Sequence, residues 1–197
     1  MMNCILAGVG GQGIILASKL IAQSAMNKGL NVRTAETIGM AQRGGCVVSH
    51  VRIGEEVHSP LIPLKSADVI IGFEPAEAVR CLGYLKENGT VIVSQKAIKP
   101  VTVSLAGDDY DGSEMLFFLR KNVSNLIIVD SDSICAVCDS PKVLNIALLG
   151  AVVASGVLAI SLAEMEVTIK QNLPEKFVAV NLQALRVGAQ AVLKENK

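Results

Sequence analysis

The amino-acid sequence predicts a three-layer α/β fold, with a mostly parallel β-sheet, helices on both of its faces and a helical C-terminal part. Segments with the length of strands alternate with segments of helical periodicity, which is the pattern of a doubly wound sheet. The apolar residues are mostly aliphatic, with no Trp, two Tyr and four Phe in 197 residues, as is usual for a parallel sheet buried between helices. Because the chain has the length of one domain and contains no linker or internal repeat, we expect a single domain over residues 1–197.

The first unit of this fold is a strand, a glycine turn and a helix. Residues 3–8 form an apolar strand that ends in glycine, and residues 13–28 repeat apolar side chains at helical spacing. Gly29 ends the helix, and residues 30–35 alternate as a second strand, which gives the three segments the length of a βαβ unit. After a polar segment, residues 46–53 alternate again, so we expect three strands and one helix in this part of the chain.

The remaining sequence continues the alternation and then becomes helical. Further strands are predicted at residues 66–73, 90–94, 101–105 and 126–129, and further helices at residues 75–86, 113–121, 131–138, 143–162, 164–172 and 175–195. The Asn88-Gly89 pair predicts a turn before the strand at residue 90. The sheet is therefore expected to be complete by residue 129.

Composition argues against two classes of partner. Lys and Arg together number 18, as do Asp and Glu, and no segment has the concentrated positive charge that a nucleic-acid surface requires. The mean hydropathy is high, at +0.48, but the longest apolar run, residues 146–162, contains glycine and serine and is shorter than the ~20 residues of a membrane span. The N-terminus lacks the features of a signal peptide, and we therefore expect a cytoplasmic protein that binds neither nucleic acid nor membrane.

The five cysteines predict no disulfide framework. Their number is odd and they lie in apolar surroundings, which favours reduced, buried thiols. Cys135 and Cys138 form a single CxxC, but no second CxxC or nearby His completes the four ligands of a zinc site or an iron–sulfur cluster. Structural thiols are the favoured interpretation, with a redox or shared-metal role as the alternative.

Two interpretations remain open for the glycine turn GVGGQG at residues 8–13. It matches GxGxxG between a strand and a helix, and Glu36 follows the second strand, where an acidic residue could bind the ribose of a dinucleotide. These features favour an independent NAD- or flavin-binding oxidoreductase. The other interpretation is a turn that only packs the helix against the sheet.

A second glycine-rich loop, residues 39–45, is not needed by a dinucleotide fold. It contains Gln42 and Arg43, which are suited to directional hydrogen bonds at a contact with another molecule, although a solvated surface turn is also possible. His50, inside the following strand, is more typical of a structural residue than of an acid or base. Glu74 ends a strand where α/β folds bind ligands, but it could equally be a carboxylate favoured by a helix dipole.

Several motifs together resemble one protein family, the gamma-type domain of 2-oxoacid:ferredoxin oxidoreductases, in particular the beta subunit of the indolepyruvate type. They are GVGGQG, ETIGMAQRGGCVVSHVRIG, VHSPLIP, ADVIIGFEPAEAVR and VLNIALLGA, which span roughly residues 3–155. The resemblance implies a larger partner subunit that holds thiamine diphosphate, Mg²⁺ and [4Fe–4S] clusters, reduces ferredoxin and forms acyl-CoA from coenzyme A. It also implies that this chain holds no cofactor, binds no metal and supplies no catalytic residue. A purely structural scaffold is a further alternative.

The residues expected to face a cofactor or the partner lie in both glycine loops and at the ends of strands. They are Gly8, Gly10, Gly11, Gln12, Gly13, Glu36, Met40, Gln42, Arg43, Gly44, Gly45, Ser49, His50 and Glu74.

Overall fold

A computed structural model describes residues 1–39, 45–99 and 109–195, and these residues form a six-stranded sheet covered by helices. The strands are β1 (Met2–Val9), β2 (Asn31–Ile38), β3 (Cys46–Gly54), β4 (Ala67–Gly72), β5 (Leu85–Ser94) and β6 (Asn125–Val129). The helices are α1 (Ile14–Asn27), α2 (Pro75–Arg80), α3 (Ser113–Asn122), α4 (Ser131–Val137), α5 (Leu144–Ala154), α6 (Leu162–Asn172) and α7 (Glu175–Glu195). The predicted α/β class is confirmed, including the helical C-terminal part.

The strand order is β2-β3-β1-β4-β5-β6, and only β3 runs against the others. β3 pairs antiparallel with β1 on one side and with β2 on the other. β1, α1 and β2 therefore follow one another as the sequence predicts, but β1 and β2 do not pair. Gly39, which follows β2, and Gly45, which precedes β3, therefore lie at the same edge of the sheet as the end of β1.

Helices lie on both faces of the sheet, as expected. Along β1, Cys4 and Leu6 belong to the larger core, which includes residues of α1, α5, α6 and α7, while Ile5 and Ala7 belong to a smaller core with residues of α2 and α3. This division follows from the alternation of side chains along a strand. Among the described helices, none combines the length and apolarity needed to cross a bilayer.

The predicted helix over residues 75–86 is too long, because α2 ends at Arg80. A short 3₁₀ turn follows, and Lys65 and Ser66 then donate backbone hydrogen bonds to Gly83 and Tyr84. These bonds draw the chain into β5 before the predicted turn at Asn88, which becomes a positive-φ irregularity inside the strand rather than a boundary.

The predicted helix over residues 143–162 divides into two elements. α5 ends at Ala154, and Gly156 then adopts a φ of 75°, which is typical of the residue that ends a helix. Leu162 begins α6, so the apolar run continues through the break. The strand expected at residues 101–105 lies outside the described residues.

Candidate functional site

The candidate site lies at the edge of the sheet where the parallel strands end. The glycine loop of residues 8–13 leaves β1 there, Glu74 follows β4, and Gly45 precedes β3. The amide of Gly10 donates a hydrogen bond to the carbonyl oxygen of Gly45 at 2.8 Å. The first loop is therefore joined directly to the start of β3, and this edge is where an open α/β sheet ordinarily places a ligand.

Gln12 occupies the interior of the glycine loop. Its Oε1 accepts a hydrogen bond from the amide of Val9 at 2.8 Å, and its Nε2 donates to the carbonyl oxygen of Phe73 at 2.7 Å. The Gln12 side chain thus connects the end of β1 to the residue that follows β4. Two polar groups of the backbone are satisfied by this one amide.

Sterics explain two of the glycines in this loop. A Cβ on Gly8 would lie 2.6 Å from Gln12 Oε1 and 2.7 Å from Phe73 Cβ, so only glycine fits there. Gly13 precedes α1 with a φ of 76°, and a Cβ at this position would lie 2.5 Å from Asn145 Nδ2. Both positions would need glycine whether or not the loop binds a ligand.

Gly11 has different surroundings from these two glycines. Its φ is 99°, and a Cβ there would meet no heavy atom within 4 Å, so the tip of the loop points away from the protein. Beside it lies a hollow of about 370 Å³, lined by Val9, Gly10, Gly11, Gly13, Ile14, Ile15 and Val47. The loop therefore presents backbone and aliphatic carbon, rather than charged groups, to whatever contacts it.

Glu74 is buried and caps α2. The residue is only 2% exposed, its Oε2 accepts a hydrogen bond from the amide of Glu77 at 3.1 Å, and its Oε1 accepts one from the hydroxyl of Tyr110. Burial, and then the hydrogen bond to Glu74, raise the pKa of Tyr110 well above its ordinary value. Tyr110 therefore stays protonated and holds the segment before α3 against the start of α2.

A second buried carboxylate, Glu77, was not indicated by the sequence analysis. It is 5% exposed and contacts Arg80 at 3.0 Å through Oε1, while its Oε2 has no hydrogen-bond partner within the part of the chain that the structure describes.

Burial, with a contribution from Glu77, raises the pKa of the Cys46 thiol to about 11, and burial raises that of Cys81 to about 12. These thiols are protonated at neutral pH and are poor nucleophiles. Spacing on α2 could have suggested the pair Glu77 and Cys81, but nothing in the sequence associates either with Cys46.

Ser49 and His50 lie inside the sheet and not at its edge. They are in register with Leu6 and Ile5, three or four residues and thus at least roughly 10 Å before the end of β1. Nδ1 of His50 accepts a hydrogen bond from the amide of Ile62 at 3.2 Å, and burial lowers the pKa of the imidazole. Ser49 is fully buried, and its hydroxyl has no partner among the described residues. The structure thus places both within the packing of β3.

Glu36 is exposed on the edge strand β2, opposite Ser49 of β3. Because β3 separates β2 from β1, two strand spacings, roughly 10 Å, lie between Glu36 and the strand that carries the glycine loop. In a dinucleotide fold the corresponding strands are neighbours, and the loop accepts the diphosphate. Here the Gln12 amide occupies the inside of the loop, so the geometry does not favour the dinucleotide interpretation.

The other predicted residues divide into two groups. Met40, Gln42, Arg43 and Gly44 lie outside the described residues. Cys135 and Cys138 lie at α4, and burial raises the pKa of both thiols, which is consistent with structural thiols. Among the residues that the structure describes, no group of three or more His, Cys, Asp or Glu side chains could hold a metal ion.

Comparison with known proteins gives consistent matches over nearly the whole chain. A family model described as pyruvate ferredoxin/flavodoxin oxidoreductase matches residues 3–191. The indolepyruvate oxidoreductase subunit IorB of Archaeoglobus fulgidus is 40% identical over 188 residues, which is 95% of this chain and 93% of that protein. The pyruvate/ketoisovalerate oxidoreductases common subunit gamma of Pyrococcus abyssi is 29% identical over 182 residues, 91% of this chain and 90% of that protein.

The fold also matches solved structures. The gamma subunit of a keto/oxoacid ferredoxin oxidoreductase from Geobacter sulfurreducens superimposes with a TM-score of 0.72 at 24% sequence identity. The match covers 98% of this chain and 99% of that one.

Proposed function

The chain belongs to the pyruvate ferredoxin/flavodoxin oxidoreductase family, and we propose that it is the small subunit of an indolepyruvate-type 2-oxoacid:ferredoxin oxidoreductase. In this proposal the thiamine diphosphate, Mg²⁺ and [4Fe–4S] clusters are held by a larger partner subunit. The complex converts an aryl pyruvate and coenzyme A into acyl-CoA and CO₂. The two electrons released pass to ferredoxin, and one proton is released with them.

The substrate class is supported by the difference in sequence identity to two relatives, each of which aligns over nearly its full length. The chain is 40% identical to an indolepyruvate oxidoreductase subunit but 29% identical to a subunit shared by pyruvate and ketoisovalerate oxidoreductases. Both relatives are aligned over at least 90% of their length, so the difference does not come from a single motif. It favours an aryl pyruvate as the substrate of the complex.

The side chains of the candidate site support an accessory role for this chain. The Gln12 amide is used in hydrogen bonds within the protein, and the hydroxyl of Tyr110 and the thiols of Cys46 and Cys81 have raised pKa values. A general base or nucleophile needs a pKa close to the working pH, or a lowered one. We therefore assign the chemistry to the partner subunit.

We further propose that the edge formed by the glycine loop, Gly45 and Glu74 faces the partner or a cofactor that the partner holds. Three features support this placement. The tip at Gly11 points outward, the hollow beside it is lined by aliphatic side chains and glycine backbone, and Gly45 leads directly out of the second glycine-rich loop. A surface of exposed backbone allows close approach of another chain.

Reconstitution with the larger subunit from the same organism tests the proposal. Reduction of ferredoxin or a viologen is followed with indolepyruvate, pyruvate or ketoisovalerate in the presence of coenzyme A, with each subunit alone as the control. We expect activity only when both chains are present, and the highest kcat/KM with indolepyruvate. Full activity of the larger subunit alone, or failure of the two chains to associate, would contradict the proposal.

A further inference from the structure

We infer that Gln12 is a positioning residue: its side-chain amide, and not the glycines alone, fixes the orientation of the glycine loop that the larger subunit contacts. This inference rests on the proposed function, because the loop is taken to be part of the subunit interface. It assigns a specific role to the one residue of GVGGQG whose side chain can hydrogen-bond.

The evidence is the pair of hydrogen bonds that Gln12 makes in opposite directions. Oε1 accepts from the amide of Val9, the last residue of β1, and Nε2 donates to the carbonyl oxygen of Phe73, directly after β4. A side-chain amide is a neutral group that accepts through its oxygen and donates through its nitrogen. The absence of a Cβ on Gly8 provides the space, since such a Cβ would lie 2.6 Å from Gln12 Oε1.

The two bonds connect the loop to the neighbouring parts of the candidate site. Phe73 is followed by Glu74, which caps α2 and binds Tyr110. On the other side of the loop, Gly10 is hydrogen-bonded to Gly45, at the start of β3. With both contacts in place, the outward tip at Gly11 has a fixed position relative to β3 and α2. Without the Gln12 amide, the loop would keep its glycines but lose its connection to β4.

Two variants of nearly equal volume separate hydrogen bonding from packing. In Gln12→Glu the ionised carboxylate still accepts from Val9 but repels the carbonyl oxygen of Phe73. When it is protonated, the carboxylic acid can donate to that oxygen and so reproduce the amide. Gln12→Met fills similar space and can form neither hydrogen bond at any pH. The variants therefore differ in how their binding depends on pH.

The measurement is the Kd between each variant and the larger subunit from about pH 4, below the ordinary pKa of a Glu carboxyl, to about pH 8, expressed relative to the wild-type Kd at the same pH. We expect Gln12→Met to bind roughly tenfold or more weakly at every pH, because two hydrogen bonds that hold the loop are lost. We expect Gln12→Glu to bind as weakly as Gln12→Met near pH 8 and to approach the wild type near pH 4, where its carboxyl is largely protonated. Melting temperatures of the isolated variants, measured at both pH values, show whether the fold is retained.

The outcomes distinguish this inference from the proposed function. Wild-type affinity of both variants at every pH would overturn the role of Gln12 and leave the proposed function intact. Equal weakening of both variants without recovery at acid pH would also overturn it, since it would assign Gln12 to packing. Failure of the wild-type chain to bind the larger subunit would overturn the proposed function and this inference together.

Discussion

A close contact between two helices yields a sharp prediction for stability. α5 and α7 cross at two glycines, where a Cβ on Gly188 would lie 1.9 Å from the carbonyl oxygen of Ala147, and a Cβ on Gly150 would lie 2.0 Å from that of Leu185. Ordinary van der Waals contact begins at about 3.4 Å. In Gly188→Ala the two helix backbones must therefore move apart, because the obstructing atom belongs to the main chain and cannot rotate away.

The expected cost follows from this geometry. Overpacking a core typically lowers the free energy of unfolding by about 1–3 kcal/mol. A clash with the backbone of a buried helix is expected to cost at least the upper value of this range. The higher helix propensity of Ala offsets about 1 kcal/mol, which leaves a loss of about 2–3 kcal/mol. For a chain of this size, such a loss lowers the melting temperature by roughly 5–10 °C.

Calorimetry and denaturant unfolding of Gly188→Ala measure this loss, with Gly156→Ala as the matched control. Gly156 has a positive φ of 75° and open space around its Cβ position, so that substitution reports backbone strain alone, at about 1 kcal/mol. If Gly188→Ala were as stable as the wild type, or more stable by the amount that helix propensity predicts, the close packing of α5 on α7 would be refuted.

Four further predictions concern the candidate site and its surroundings. His50 has a lowered pKa in the folded protein, so as the pH falls the unfolded chain binds a proton at this residue before the folded chain does. The free energy of unfolding should therefore decrease below about pH 6.5, by at most about 1.4 kcal/mol per pH unit. In denaturant titrations, His50→Asn should show a shallower dependence on pH. Tyr110→Phe leaves the buried Oε1 of Glu74 without its donor and should cost about 1–2 kcal/mol by calorimetry, whereas an unchanged melting temperature would show that water replaces the hydroxyl. The isolated chain should not bind NAD with a micromolar Kd in calorimetric titration, and such binding would restore the dinucleotide interpretation. Arg43→Lys should reduce the activity of the reconstituted complex while the subunit's melting temperature stays unchanged, and full activity in both the Lys and the Ala variant would contradict a contact role.

Elements with a regular apolar period could be predicted from the sequence because the period reports burial directly. β1 and α1 agree with prediction within about two residues, since β1 is a continuous run of buried residues and α1 has one buried face. The ends of α2 and α5 could not be predicted in the same way. α2 stops where Lys65 and Ser66 form hydrogen bonds with the chain after it, and these partners are distant in sequence.

Strand pairing illustrates the same limit. The alternation in residues 46–53 predicts a strand, but it does not reveal that this strand separates β1 from β2. A pattern of period two specifies which face of a strand is buried, and not which strands are its neighbours. That missing information determines the position of Glu36, which a βαβ unit with adjacent strands would have placed beside the glycine loop.

The glycine motif shows why the site was only partly predictable. Gly8 and Gly13 are required by close contacts and by a positive φ, and these requirements are the same in a dinucleotide site and in a subunit contact. Matching GxGxxG therefore reports the shape of the turn and not its ligand. The residues that distinguish the two are Gln12, whose amide fills the turn from within, and Gly45, which precedes β3 and accepts a hydrogen bond from Gly10 of the loop. Neither contact has a periodic or spaced pattern in the sequence, because each joins segments that only the folded sheet brings together.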